Sequence, residues 1–163
     1  MNATEVLFSK KPGVDTDSFQ IVHFSEGIYQ TRVYSDNNVF ISRGSVNPSQ
    51  NPGQWVHLLF TYDGGASPSS IRVYQNGTRI DSTSNSAGTF TAFNDLEVNS
   101  EIGGQNNGEN ISFKGKIDDV RIYNRALSST EIAQLHASEA PIGTKKWEFK
   151  AGSSIYSSAA IAV

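Results

Sequence analysis

The chain has 163 residues, of which 37% are hydrophobic and 18% are charged, and it carries a formal net charge of −3 without any cysteine. This length is enough for one domain with a sizeable core. The small negative charge and the lack of a basic cluster argue against nucleic acid as a partner. The absence of cysteine excludes disulfides and thiolate chemistry. No apolar run approaches the roughly 18 residues of a membrane span, so no membrane insertion is expected.

The first third of the chain predicts a series of short strands. The run Val-Leu-Phe-Ser-Lys at 6–10 is followed by predicted strands at 18–24, 28–35 and 39–42. A further strand is predicted at 55–62, where Val56, Leu58, Phe60 and Tyr62 alternate with a mixed set of residues. Such alternation is typical of a strand with one buried face and one half-covered face.

The next run predicts a tight hairpin. Asn76-Gly77 is the commonest pair in a two-residue type I′ turn, because both central residues must take positive φ. The register that follows pairs Val73 with Ile80 on one face and Tyr74 with Arg79 on the other. Alternation at 96–102 predicts another strand, with Leu96, Val98 and Ile102 pointing the same way.

The segment 113–124 changes its alternation midway. Phe113 and Ile117 share one parity, whereas Val120 and Ile122 have the other. Either a bulge lies near residues 118–119, or the sheet is covered on both of its faces there. With Val120 and Ile122 inward, Asp118 is expected to point inward, where a carboxylate needs hydrogen-bond donors, a cation or a metal.

A capping box ends the patterned part of the chain. Ser128 is predicted as the N-cap and Glu131 as the N3 residue of a short helix. Ile132 and Leu135 are spaced to pack this helix back onto the sheets. Four arginines are expected to form ion pairs on strand faces: Arg72, Arg79, Arg121 and Arg125.

The ordered motifs of residues 5–137 resemble laminin-G-like jelly-roll domains. The motifs are Trp-Val-His, Tyr-Asp-Gly, Tyr-x-Asn-Gly, Ile-Gly-Gly and Phe-x-Gly-x-Ile-Asp-Asp-Val-Arg-Ile-Tyr-Asn-Arg-Ala-Leu-Ser. The resemblance extends to the concanavalin A-like family and, more distantly, to pentraxins. It implies an all-β fold, a two-sheet antiparallel concanavalin A-like jelly-roll sandwich with one short C-terminal helix.

The resemblance also implies a function. Members usually recognise glycans or proteins on secreted and surface proteins, so we expect a non-catalytic carbohydrate-recognition or adhesion module that is extracellular, at the cell surface or periplasmic. A protein–protein interaction or spacer domain without a sugar ligand is the alternative. A glycoside hydrolase is less favoured, because the Glu-x-Asp-x-x-Glu spacing of related hydrolases is missing from the sequence.

The two ends suggest a piece of a multidomain protein. Residues 1–139 are expected to form the jelly-roll domain with one or more opening strands missing, and residues 140–145 a linker. Residues 146–163 resemble the start of a pyrroloquinoline-quinone-type β-propeller repeat (Trp-x-Phe-x-x-Gly, then Tyr-Ser-Ser-x-Ala). We hypothesise that this apolar tail fills the uncovered sheet edge, either in cis or by strand exchange with a neighbouring copy.

The oxygen-rich loop 104–110 is the leading ligand-binding candidate, with calcium as its cofactor. Its candidate residues are Gln105, Asn106, Asn107, Glu109 and Asn110. Pentraxins have Glu-Gln-Asp after the matching Gly-Gln and bind calcium there. This chain has Asn-Asn-Gly instead, so two carboxylates are lost, and an exposed Asn/Gly-rich turn is the favoured interpretation of the loop.

Asp118 is the second calcium candidate. Its alternatives are hydrogen bonds to backbone amides or an ion pair with Arg125. Sugar binding would also need exposed aromatic rings beside polar groups. Tyr123 is predicted to face outward and Trp55 to cover the core, while Phe90 and Phe93 form either a binding rim or, as we prefer, a loop anchor.

Overall fold

The computed structural model describes residues 4–10, 18–24, 26–36, 38–45, 53–105 and 112–138. The strands in this part of the chain are β1 (Thr4–Lys10), β2 (Phe19–Phe24), β3 (Tyr29–Asp36), β4 (Val39–Ser45), β5 (Leu58–Tyr62), β6 (Ile71–Gln75), β7 (Thr78–Arg79), β8 (Asp81–Ala87) and β9 (Ser100–Ile102). A 3-10 turn covers Pro68–Ser70, and the helix α1 covers Ser129–Ser138.

The strands form two antiparallel sheets. The larger sheet has the order β8-β4-β3-β2-β1-β9, and the smaller sheet has the order β5-β6-β7. This is the predicted two-sheet jelly-roll sandwich with one short helix. The strands predicted at 6–10, 18–24, 28–35 and 39–42 are confirmed as β1 to β4, with small differences at their ends. The edge of β1 that faces away from β2 is paired with β9.

The main core lies between the two sheets. The smaller sheet contributes Leu58, Phe60, Ile71 and Val73, and the larger sheet contributes Phe8, Ile21, Val33 and Ile41. Val56 and Tyr62 pack against the same cluster, so the alternation predicted from position 56 to position 62 is confirmed. Burial of such side chains provides most of the favourable free energy of folding.

A second apolar cluster covers the outer face of the smaller sheet. Leu59 and Tyr74 from the sheet pack against Leu127 and against Ile132 of α1, while Leu135 is partly buried beside them. The helix starts with the predicted capping box: the Ser128 backbone N–H donates to Glu131 Oε2 at 2.8 Å, and the Glu131 N–H donates to Ser128 Oγ at 3.3 Å.

The hairpin between β6 and β7 has the predicted turn and register. Asn76 and Gly77 have φ of 50° and 76°, as a type I′ turn requires. Tyr74 faces Arg79 across the ladder, and the Ile80 N–H donates to the Val73 carbonyl at 2.8 Å.

Three predicted strands differ from the structure. The strand predicted at 55–62 begins at Leu58. At 96–102 only Ser100–Ile102 is a strand, because the Leu96 and Val98 amides donate to carbonyls two residues earlier rather than to a neighbouring strand. Ile102 is 56% exposed. Residues 112–128 belong to no strand, although Phe113, Ile117, Val120 and Ile122 all pack on the main core.

The change of alternation in this segment has a local cause. Asp119 has φ of 53°, a left-handed conformation that shifts the phase of the side chains on either side of it. The expected inward orientation of Asp118 is therefore wrong. Its side chain is exposed, and its Oδ1 accepts a hydrogen bond from the Asp119 N–H at 2.9 Å.

Two further points concern the whole chain. Within the described ranges no helix has the length and apolar character needed to cross a membrane. The linker predicted at 140–145 and the tail predicted at 146–163 lie outside the described residues, so both assignments, and the strand exchange proposed for the tail, stay predictions.

Candidate functional site

An open groove of about 490 Å³ lies where β5 ends. Binding sites for small molecules commonly have volumes of a few hundred Å³. We call it the Tyr62 groove, and it is lined by Tyr62, Asp63, Gly64, Phe93, Asp95, Asn124, Arg125 and Ala126. These residues come from three segments that are distant in the sequence: the end of β5, the connection before β9 and the segment before α1.

Two aromatic rings form the apolar wall of the groove. The ring centroids of Tyr62 and Phe93 are 6.3 Å apart, and the rings meet edge to face. Both rings are partly buried against the main core. Tyr62 Oη donates to the Gly65 carbonyl at 3.0 Å, which fixes the orientation of its ring. Burial, and secondarily the charge of Asp63, raises the pKa of Tyr62, so the hydroxyl is neutral at physiological pH.

The structure shows whether Phe90 and Phe93 form a binding rim or anchor their loop. Phe90 is buried in the main core, so it is an anchor of its loop, as preferred. Phe93 has both roles: its ring packs on the core and also lines the groove.

The polar wall carries three charged side chains, each with an oppositely charged neighbour. Arg72 Nη2 lies 3.2 Å from Asp63 Oδ2, and Lys10 Nζ contacts Asp95 Oδ1. Arg125 contacts Glu131 through both terminal nitrogens, at 2.6 and 3.0 Å.

The Arg125–Glu131 pair also belongs to the helix cap. Glu131 Oε2 accepts from both the backbone N–H and the Oγ of Ser128, each at 2.8 Å. Hydrogen bonding from Arg125, followed by that from Ser128, lowers the pKa of Glu131 to about 2. One carboxylate thus holds both the start of α1 and the guanidinium group at the rim of the groove.

This arrangement suits a ring-shaped ligand that carries hydroxyl groups. The aromatic faces can contact the apolar face of a sugar ring. Asn124, which is exposed, provides an amide donor and acceptor. The carboxylates of Asp63 and Asp95 are 39% and 45% exposed, so their free lone pairs can accept hydrogen bonds from ligand hydroxyls.

Of the residues predicted to bind the ligand, Gln105 is described by the structure, and it is not part of the Tyr62 groove. Gln105 is buried, and its Oε1 accepts from Gln20 Nε2 at 2.9 Å. Gln20 Oε1 in turn accepts from Tyr34 Oη at 3.4 Å. The position of Gln105 therefore makes it part of a hydrogen-bonded cluster on the larger sheet. The other four candidates, Asn106, Asn107, Glu109 and Asn110, lie outside the described residues.

The calcium prediction stays a prediction, because most of the candidate loop lies outside the described residues. Asp118 is a single exposed carboxylate, and Arg125, its predicted partner, contacts Glu131 instead. Nowhere in the described ranges do three or more histidine, aspartate or glutamate side chains lie close enough together to hold a metal ion. Because calcium requires about six or more oxygen ligands, Asp118 and Gln105 do not form such a site between them.

Most of the described tyrosine side chains lie inside the protein, where they cannot stack on a sugar. Tyr29, Tyr34 and Tyr74 are buried. Tyr123 faces away from the main core, as predicted, but it is partly buried against the second cluster below α1. The four predicted ion pairs form: Arg72 with Asp63, Arg79 with Asp81, Arg121 with Asp119 and Arg125 with Glu131. Their predicted place on strand faces holds for Arg72 and Arg79 but is wrong for Arg121 and Arg125, which belong to no strand.

A histidine pair lies at a second junction, between the hairpin and α1. The rings of His57 and His136 are 5.5 Å apart. His57 is 3% exposed, and its backbone N–H donates to Asn76 Oδ1 at 3.0 Å. Burial is the main reason that the pKa of His57 falls to about 4, and the charges of His136 and Arg121 lower it further against an opposing contribution from Asp119.

The architecture defines a class of protein, the two-sheet antiparallel jelly-roll sandwich with a helix packed on the smaller sheet. Within this class, the chain belongs to the Laminin_G_3 family, described as the concanavalin A-like lectin/glucanases superfamily, whose family model matches residues 2–133. The laminin-G-like and concanavalin A-like resemblance seen in the sequence is thereby confirmed.

Two individual proteins are similar to parts of this chain. Adhesion G-protein coupled receptor D1 of Homo sapiens is 32% identical over 111 residues, which are 67% of this chain and 12% of the receptor. The solved structure of an S-layer domain-containing protein from Clostridium thermocellum is 19% identical, covers 82% of this chain and 63% of its own, and has a TM-score of 0.33. The chain thus spans about an eighth of the receptor and less than two thirds of the S-layer fragment.

Proposed function

We propose that this domain is a non-catalytic recognition module of an extracellular or cell-surface protein, and that it binds a glycan in the Tyr62 groove. The observation that carries the proposal is the combination of two partly buried aromatic rings with amide, carboxylate and guanidinium groups in one ligand-sized groove. The description of the family as lectins and glucanases is in keeping with a carbohydrate ligand.

The placement at a cell surface has separate support. The human relative is an adhesion receptor by name, and this chain matches only a small part of it, as expected for one module among several. A recognition module fits better than a hydrolase, because the strand motif that carries the catalytic carboxylates of related glycosidases is missing from the sequence.

A protein-interaction or spacer domain is the second candidate. It is favoured by the burial of Tyr29, Tyr34 and Tyr74, which leaves few tyrosine rings among the described residues available for sugar stacking. The name of the adhesion receptor suits a protein partner as well as it suits a glycan.

A glycan array tests the first candidate against the second. The wild-type domain should bind one or more glycans, and Phe93→Ala should weaken that binding at least tenfold, which is about 1.4 kcal/mol. Phe40→Ala is the matched control, because Phe40 is also a partly buried phenylalanine but lies against Tyr34 and Arg32, outside the groove. Its binding should stay within about twofold of wild type.

Two outcomes would contradict the proposal. The first is an array without any bound glycan, both with calcium and with a chelator, which would favour the protein-interaction or spacer alternative. The second is an equal loss of binding in Phe93→Ala and Phe40→Ala when both variants are folded. The two calcium conditions also test the calcium site predicted at Gln105–Asn110 and at Asp118, because chelation should abolish binding if calcium holds the ligand.

A further inference from the structure

The charges of the Tyr62 groove are balanced within the protein itself. Its lining contains two carboxylates, Asp63 and Asp95, and one guanidinium, Arg125. Each of them contacts an oppositely charged side chain: Arg72, Lys10 and Glu131, in that order. The formal charge of these six side chains is zero, so the groove presents paired charges to a ligand.

These ion pairs determine which ligands can bind in the groove without breaking an ion pair of the protein. An anionic group on a ligand would compete with Glu131 for Arg125, whose two terminal nitrogens already contact that carboxylate. Because Glu131 also accepts two hydrogen bonds from Ser128, displacing it would disturb the cap of α1 as well. Binding of an anionic ligand to Arg125 would therefore destabilise the N-terminus of α1.

A cationic ligand meets the same obstacle at the carboxylates. An amino sugar would have to compete with Arg72 for Asp63 or with Lys10 for Asp95. The Lys10 side chain is only 5% exposed, and displacing a contacting carboxylate from a buried ammonium group is costly. A neutral hydroxyl has no such requirement, because it can donate to a paired carboxylate and accept from Asn124 while all three ion pairs stay in place.

We propose that the Tyr62 groove selects neutral glycans and discriminates against sulfated, uronic-acid and amino sugars. This inference rests on the proposed function, since it specifies the ligand of the same groove. The Arg125–Glu131 pair is the selectivity element against anions, and it links that selectivity to the cap of α1.

Binding measurements at two salt concentrations test the proposal. The probes are a neutral oligosaccharide and its sulfated, uronic-acid and amino counterparts, each titrated into the purified domain by calorimetry. The neutral probe should bind with an affinity that changes less than about twofold between low and high salt, because no new ion pair is formed. The charged probes should bind at least about tenfold more weakly.

A charge variant makes the test specific to Arg125. Glu131→Gln removes the counter-ion of Arg125, while glutamine at this helix position can still take part in a capping box. This variant should gain affinity for the sulfated probe by about tenfold, and the gain should diminish at high salt.

Asp119→Asn is the matched control for Glu131→Gln. It removes a carboxylate from Arg121, which it contacts at 2.6 Å, at a position outside the groove. Asparagine tolerates the positive φ of Asp119, so the backbone can keep its conformation. The control should bind the sulfated probe as weakly as wild type does.

The outcomes separate this inference from the proposed function. Preferential, salt-dependent binding of sulfated, uronic-acid or amino glycans by the wild-type domain would overturn neutral selectivity and leave glycan recognition standing. An equal gain in Glu131→Gln and Asp119→Asn would overturn the role of Arg125. Lack of binding to every glycan would overturn the proposed function itself, and neutral selectivity with it.

Discussion

At the scale of single residues, the protonation state of His57 affects the stability of the fold. It is buried at the junction of β5, the hairpin and α1, and its pKa in the folded state is about 4. An unfolded chain titrates its histidines near pH 6.5. Between these two values the unfolded state binds more protons than the folded state, so acid favours unfolding.

The sign of the pH dependence follows from this difference. Above pH 6.5, His57 is neutral in both states and does not change the free energy of unfolding. As the pH falls from 6.5 toward 4, the unfolded state binds a proton at His57 that the folded state does not, so the free energy of unfolding decreases. We expect the free energy of unfolding to drop by about 2 kcal/mol between pH 7 and pH 4.5, measured by denaturant unfolding. In His57→Gln the decrease over this range should be clearly smaller. Equal slopes in wild type and His57→Gln would contradict the assignment.

Gly77 is constrained by both its conformation and its surroundings. Its φ is 76°, and a Cβ atom added there would lie 3.3 Å from the Cβ of His136. Gly77→Ala should therefore cost about 2 kcal/mol, from backbone strain together with crowding against α1. Gly53→Ala should cost about 1 kcal/mol, since Gly53 has φ of 85° but no neighbouring atom within 4 Å of the added group. Thermal melts of both variants would check the difference, and equal costs would show that the contact with His136 is unimportant.

At the scale of elements, α1 depends on packing more than on its own helix propensity. A ten-residue helix is marginal in isolation, and Ile132 is fully buried in the cluster that joins it to the smaller sheet. Ile132→Ala should destabilise the domain by about 3 kcal/mol in denaturant unfolding. Leu135→Ala, at a partly buried position on the same helix, should cost less, and a reversed order would contradict the assigned packing.

The elements that the sequence predicts correctly are those with local causes. The type I′ turn at 76–77 and the capping box of Ser128 and Glu131 are set by residues a few positions apart, and both are confirmed. The strand predicted at 96–102 is shortened because backbone hydrogen bonds within 94–98 replace the ladder. The predicted inward orientation of Asp118 is wrong because Asp119 adopts a left-handed conformation. This conformation interrupts the alternation of side chains on which the prediction depended.

At the scale of the whole molecule, the sandwich is predictable and the groove is not. The order of motifs along the chain identifies the fold, and the two sheets confirm it. The groove joins residues from positions 62–64, 93–95 and 124–126, and their proximity depends on how the sheets and connections pack. Among these residues the sequence singles out only Phe93 as a rim candidate. It gives no signal that Asp63, Asp95 and Asn124 would line the same groove.

The aromatic and the polar residues of the groove belong to different parts of the fold, and this affects how such domains diversify. The two aromatic rings pack against the main core, whereas Asp63, Asp95, Asn124 and Arg125 lie in connections between strands or before the helix. Substitutions in connections usually change stability little. Related sandwiches can therefore acquire new ligand preferences through substitutions at a few loop positions. The buried core residues can stay unchanged meanwhile, because they are selected for stability.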